Sequence, residues 1–176
     1  RCRRVAAALL LPRIQTGLSN CTPSSATVSG AEGPEAGAES EWSVRANAAA
    51  ATVDLTGTTG VRVQADVNAG DLRLRAGDGG LERLDVSMNA GRARITLGGG
   101  ETGSLAANAG AIELCVPPDA DLRFRLQDQL TFGHNLDDRG LAQAGDTWTR
   151  AGSGDAIELD IQGNAASFTL EPEGGC

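Results

Sequence analysis

The sequence has no lysine and no tyrosine, only three phenylalanines and two tryptophans, one methionine and a single histidine, His134. Without lysine, Schiff-base catalysis and a Walker-type phosphate lysine are both excluded. With aromatics at 3% of 176 residues, the core has to be built from Ala, Val, Leu and Ile, which suits thin stacked layers better than a thick globule. No apolar run approaches the roughly 20 residues needed to cross a bilayer as a helix. There is no Cys-x-x-Cys to suggest zinc or thioredoxin-type chemistry, and no G-x-S-x-G elbow for the lone histidine to serve. Acidic residues outnumber basic ones, and the net charge of −8 argues against a nucleic-acid partner, because affinity for phosphate backbones rests on clustered positive charge. A non-catalytic protein without a cofactor is expected.

The first forty residues differ from the rest. Arg1-Cys2-Arg3-Arg4 leads into the short apolar run Val5 to Leu11, and Gly17-Leu18-Ser19-Asn20-Cys21 resembles a bacterial lipobox, which makes Cys21 a lipidation candidate. Pro12 and Arg13 interrupt the apolar region and Asn20 departs from the usual small residue, so a remnant membrane segment or plain disorder competes with that reading. Residues 22–40 are rich in Ser, Ala, Gly, Pro and Glu and bury too little to offset the entropy of ordering. The expectation is a disordered segment and tether over 1–40, with membrane association through its start, and a folded domain over 41–176. The chain opens on Arg1 rather than Met, so a further N-terminal stretch is expected as well.

The folded part is organised by a repeat. Asn-Ala-Gly occurs at Asn68-Ala69-Gly70, Asn89-Ala90-Gly91 and Asn108-Ala109-Gly110, with degenerate copies at Asn47-Ala48-Ala49 and Asn164-Ala165-Ala166. The flanks share the pattern. Six residues after each Asn stand Val53, Leu74, Ile95, Leu114 and Leu170, and three before it Val44, Ala65, Val86, Leu105 and Ile161. Inward positions fall on odd offsets before the Asn and even offsets after it, so the tripeptide is a corner at which the facing parity resets. Glycine suits such a bend and Asn tolerates it. The opposite corners are marked by Gly77-Asp78-Gly79-Gly80 and Gly98-Gly99-Gly100.

The predicted fold is all-β: a short single-chain parallel β-solenoid with coils of about 20 residues, strands about 4.8 Å apart and the corner asparagines stacked as an amide ladder. An antiparallel sandwich with Gly-rich turns is the alternative. Between Asn108 and Asn164 the rhythm loosens; Pro117-Pro118 ends one strand, Leu122, Phe124 and Leu126 mark another, and two or three coils are expected in the interval.

The Asn-Ala-Gly corners, Leu114-Cys115-Val116-Pro117, Asp146-Thr147-Trp148-Thr149 and Asn164-Ala165-Ala166-Ser167-Phe168 together resemble the bacterial putative-adhesin ("toastrack") repeat domains. They are similar also to the C-terminal domain of LiaF-type, cell-wall-active-antibiotic-response proteins. The resemblance covers residues 41–175. It implies a β-solenoid outside the cytoplasmic membrane, often tethered to membrane helices, with roles in adhesion or envelope-stress signalling and a cell-wall component or envelope protein as partner. It carries over no catalytic residues, and this chain departs from it in lacking recognisable membrane helices. A self-assembling structural solenoid is the second reading; residues Pro172 to Gly175, which would cap one end, count against it.

Site candidates are few. The corner residues Asn68, Gly70, Asn89, Gly91, Asn108, Gly110 and Asn164 are structural. Cys115, at an outward position of its strand, and the last residue, Cys176, are placed to form a disulfide that pins the tail, with two free thiols as the alternative. His134, beside Asp137 and Asp138, is expected in an exposed loop rather than at a metal. Gly152-Ser153-Gly154 reads as a turn, as does Gly77-Asp78-Gly79-Gly80, in preference to a calcium β-roll. Asp54 with Arg75, and Arg94 with Glu113, are expected to pair across neighbouring coils.

Overall fold

A computed structural model of the chain describes residues 13–17, 25–29, 40–77, 79, 81–128 and 133–172. All regular structure among them is β: β1 (Arg13–Gly17), β2 (Ser25–Ser29), β3 (Ser40–Leu55), β4 (Val61–Ala76), β5 (Leu81–Met88), β6 (Gly91–Thr96), β7 (Thr102–Val116), β8 (Asp121–Asp128), β9 (Gly133–His134), β10 (Ala142–Ala144), β11 (Thr147–Arg150) and β12 (Ala156–Pro172). They form a single sheet, parallel throughout except where β11 pairs antiparallel with β8 and β10.

The repeat sets the register. On the limb before the corner, Val44, Ala65, Val86, Leu105 and Ile161 are successive cross-strand partners, and on the limb after it Val53, Leu74, Ile95, Leu114 and Leu170 are. The parity reset is visible within one strand. In β4, Val61, Val63, Ala65 and Val67 are buried before the corner, and Leu72, Leu74 and Ala76 after it. Both limbs feed one core of Ala, Val, Leu and Ile, with Phe124 and Phe168 edge-to-face at 6.0 Å. Outside, arginine–carboxylate pairs bridge neighbouring strands, as in Arg62–Glu82 at 3.3 Å and Arg94–Glu113 at 2.7 Å. Arg94 and Glu113 pair as expected. Asp54 instead binds the Thr56 N–H and hydroxyl, and the in-register Arg75 acts on it only through space.

Three expectations need correcting. Asn164 is the direct neighbour of Asn108, not separated from it by two or three coils, because β12 lies between β7 and β8. Ile161 is partnered by Leu105 on one side and by Leu126 on the other. Sequence spacing reports the repeat period but not the order of stacking, and β8 offers β12 an equally good apolar match through Leu122, Phe124 and Leu126. Secondly, two pieces of the expected tether are strands: β1 and β2 pair in parallel with the two limbs of β3, supplying partners to backbone groups that an edge strand would leave open. Cys2, Cys21 and the lipobox lie outside the described residues. Thirdly, Cys115 is fully buried despite its outward place in the alternation, and it is disulfide-bonded. Cys176, its expected partner, lies outside the described residues.

Glu101 is a buried carboxylate that the sequence pattern did not flag. It follows the Gly98-Gly99-Gly100 bend and is 0% exposed. Its two oxygens accept the N–H groups of Gly98 and Gly99, each at 2.8 Å. Burial pushes its carboxyl above the ordinary range, against these hydrogen bonds, and the nearby Asp155 pushes the same way as burial. A carboxyl whose folded pKa exceeds its unfolded value contributes stability that is fully present below the unfolded value and lost as pH rises through the folded one. Glu101→Ala should lower stability by about 2–4 kcal/mol, the buried Gly99 N–H and the part-buried Gly98 N–H being left without a partner. Glu101→Gln should flatten the pH dependence between mildly acidic and neutral pH in denaturant titrations. Asp85 works in the opposite sense. Burial raises its pKa, but hydrogen bonds from Arg83 and Ser104 outweigh that and hold it low, so its contribution disappears as pH falls through the folded value.

Candidate functional site: an amide-lined groove at the Asn-Ala-Gly corners

The corner asparagines form a continuous hydrogen-bonded row. Asn89 Nδ2 donates to Asn68 Oδ1, Asn108 Nδ2 to Asn89 Oδ1, and Asn164 Nδ2 to Asn108 Oδ1, each at 3.0 Å. The backbone ladder runs through the corner with them, as Asn89 N–H donates to the Val67 carbonyl and Ala109 N–H to the Asn89 carbonyl. Glycine is required just beyond. A Cβ on Gly91 would lie 2.0 Å from the Gly70 carbonyl oxygen, and one on Gly110 2.1 Å from that of Gly91. Asn47 does not keep step: β3 slips in register on both sides of it, so it faces Ala69, and Ala48 takes a φ of 52° at a corner without glycine. Of the two degenerate copies, Asn164 joins the row.

Beside the row the surface is hollowed. Ser87, Ala106, Gln162 and Gln127 are successive cross-strand partners, and the Ala106 methyl leaves a depression between longer neighbours. The resulting open groove has a volume of about 330 Å³; Ser87, Asn89, Asn108, Gln127, Gln162 and Asn164 line it, over a floor of Met88, Ala106, Ala107 and Gly163. A second, smaller hollow of about 230 Å³ continues past Ser87 and Asn89 to Asn68, Asn47 and the Arg45–Asp66 pair. The larger groove contains no ionisable side chain. Replacing an inner rung, Asn89→Ala, removes two neutral hydrogen bonds on an exposed edge. A loss of about 1–2 kcal/mol in denaturant unfolding is expected.

The remaining candidates go elsewhere. His134 is half-buried rather than exposed: it belongs to β9, which pairs with β12, and its ring stands edge-on to Trp148 at 4.9 Å. The loop carrying it folds back over the core, burying Leu136, and Asn135 pairs its side-chain amide with the backbone of Leu170 at 2.8 and 3.1 Å, like one more β residue. Asp137 and Asp138 are in the turn beyond. Gly152-Ser153-Gly154 is a bend held by the Gly154 N–H on the Asp119 carbonyl. Asp78 of the glycine-rich corner is outside the described residues. Among the described residues, no three His, Cys, Asp or Glu side chains converge as metal ligands would.

Among solved structures, a crystal structure of a putative cell adhesion protein from Clostridium sporogenes superposes on this chain with a TM-score of 0.54 and 13% sequence identity. The two share a fold. The match covers 64% of this chain and 55% of the other, so this chain spans about half the length of that protein. The adhesin-type fold implied by the sequence resemblance is thus found in the structure. No family model and no curated protein sequence matches the chain.

Proposed function

We propose that the chain is a non-catalytic, adhesin-like binding or sensing module of the bacterial cell envelope, held outside the cytoplasmic membrane. Its repeats would wind as a short parallel β-solenoid that presents the corner groove to a ligand. The observation that carries this reading is the fold shared with a putative cell adhesion protein, together with a groove whose side chains suit recognition rather than chemistry. A disulfide-bonded Cys115 fits an oxidising compartment. On this reading its partner is Cys176, and peptide mapping without reductant should recover the two linked.

The self-assembling alternative is less well supported. Stacks that polymerise need open edges, and here β11 and β10 continue antiparallel beyond β8 while β9 and Asn135 cover the other limb of β12.

The test has two parts. Intact cells expressing the full gene with a C-terminal tag are treated with protease, and the purified chain is incubated with isolated envelopes. Loss of the tag from whole cells and saturable retention on envelopes are expected. A tag protected until lysis, with no retention, would overturn the reading.

A further inference from the structure

The groove's chemistry narrows its ligand. Each inner rung of the row, Asn89 and Asn108, uses one Nδ2–H and one Oδ1 lone pair to hold its neighbours. A primary amide has two donors and a carbonyl oxygen with two lone pairs, so the row itself leaves each inner rung one donor and one acceptor. Those rungs repeat at the strand spacing of about 4.8 Å. Gln162 and Gln127, in register with each other across β12 and β8, are exposed and engaged by no described side chain or backbone group. The wall is therefore a field of neutral groups, each both donor and acceptor, with the half-buried Ala106 methyl between them.

We infer that this groove binds an uncharged, polyhydroxylated chain, a neutral glycan, lying along the asparagine row; the inference rests on the binding-module reading above. Three features of the groove favour that class. Hydroxyls are donors and acceptors at once, which matches paired amide functions and would be wasted on a ligand of one polarity. The larger groove has no guanidinium to hold a phosphate or carboxylate and no carboxylate to hold a cation. An extended peptide would need an open strand edge, whereas backbone groups at these corners are already taken: Ala90 N–H by the Asn68 carbonyl, Ala109 N–H by that of Asn89. The groove's volume falls at the lower end of the range for small-molecule sites.

The experiment follows the side-chain NH2 resonances of the ¹⁵N-labelled full chain while neutral hexose and N-acetylhexosamine oligosaccharides are added, with uronate oligosaccharides and an unstructured polypeptide as controls. Shifts confined to the amides of Gln127, Gln162, Asn89, Asn108 and Asn164 are expected, little affected by salt. Gln127→Ala/Gln162→Ala, two exposed changes that leave the asparagine row intact, should keep the melting temperature and weaken binding by about 5-fold or more, as loss of two neutral hydrogen bonds implies. Preference for uronates or polypeptide, shifts elsewhere, or unchanged affinity in the double variant would overturn the assignment. If the chain is retained on envelopes but no neutral oligosaccharide moves these amides, the glycan class fails and the binding reading stands; if neither occurs, both fall.

Discussion

A chain ending at Asp155 is expected to show no cooperative unfolding transition. β12 is the last strand in sequence and an interior one in space, with β7 on one side and β8 and β9 on the other. Removing it strips partners from both neighbours and deletes six buried apolar residues, Ile157, Leu159, Ile161, Ala166, Phe168 and Leu170. At about 1.5–3 kcal/mol for each of the larger side chains, the lost burial rivals the whole stability of a typical domain, about 5–15 kcal/mol. Far-ultraviolet circular dichroism and denaturant titration of the truncated chain provide the check. Phe168→Ala in the full-length chain gives a graded comparison, with an expected loss of about 3–5 kcal/mol at a site packed against Phe124. A truncated chain that still unfolds in one sharp step would mean that β12 is an addition to the fold rather than its middle.

Gly91→Ala should have the next largest effect, a loss of about 3 kcal/mol or more. Two causes act together. The residue has a φ of 123°, and its new methyl would meet the Gly70 carbonyl oxygen, a backbone atom that cannot rotate away. Gly57→Ala separates them: Gly57 has a φ of 81° but nothing within 4 Å of an added Cβ, so it should lose only the conformational cost, about 1–2 kcal/mol. Denaturant midpoints of the two variants, measured together, read out the difference. Equal losses would show that close approach at the corner contributes nothing. A larger loss at Gly91 should also be accompanied by weaker protection of the Asn89 and Ala90 amide protons from exchange, since both donate across that corner.

Much of the repeat could be read from the chain because its signals are local and recur. The alternation before and after each Asn-Ala-Gly prescribes which side chains face inward, and a parallel stack copies that choice from strand to strand; the amide row follows from the same register. What recurred irregularly was not legible. Glu101 breaks no pattern and became important only when the glycine bend folded its two N–H groups onto it. Gln127 and Gln162 lie far apart in sequence and meet only because β12 settles beside β8. His134 reads as a loop residue in the sequence because its partner, Trp148, follows more than a dozen residues later, and nothing nearby signals that Asn135 binds Leu170.

By itself, the sequence determined the all-β class, the period, the inward faces and the corner chemistry, because each depends on neighbours within one repeat. Tertiary structure alone decided the order of the strands, the insertion of β12 between β7 and β8, the covering of the stack's end and the hollow beside the amide row. Those depend on which of several equally apolar edges meet, and a pattern shared by every repeat cannot distinguish one edge from another.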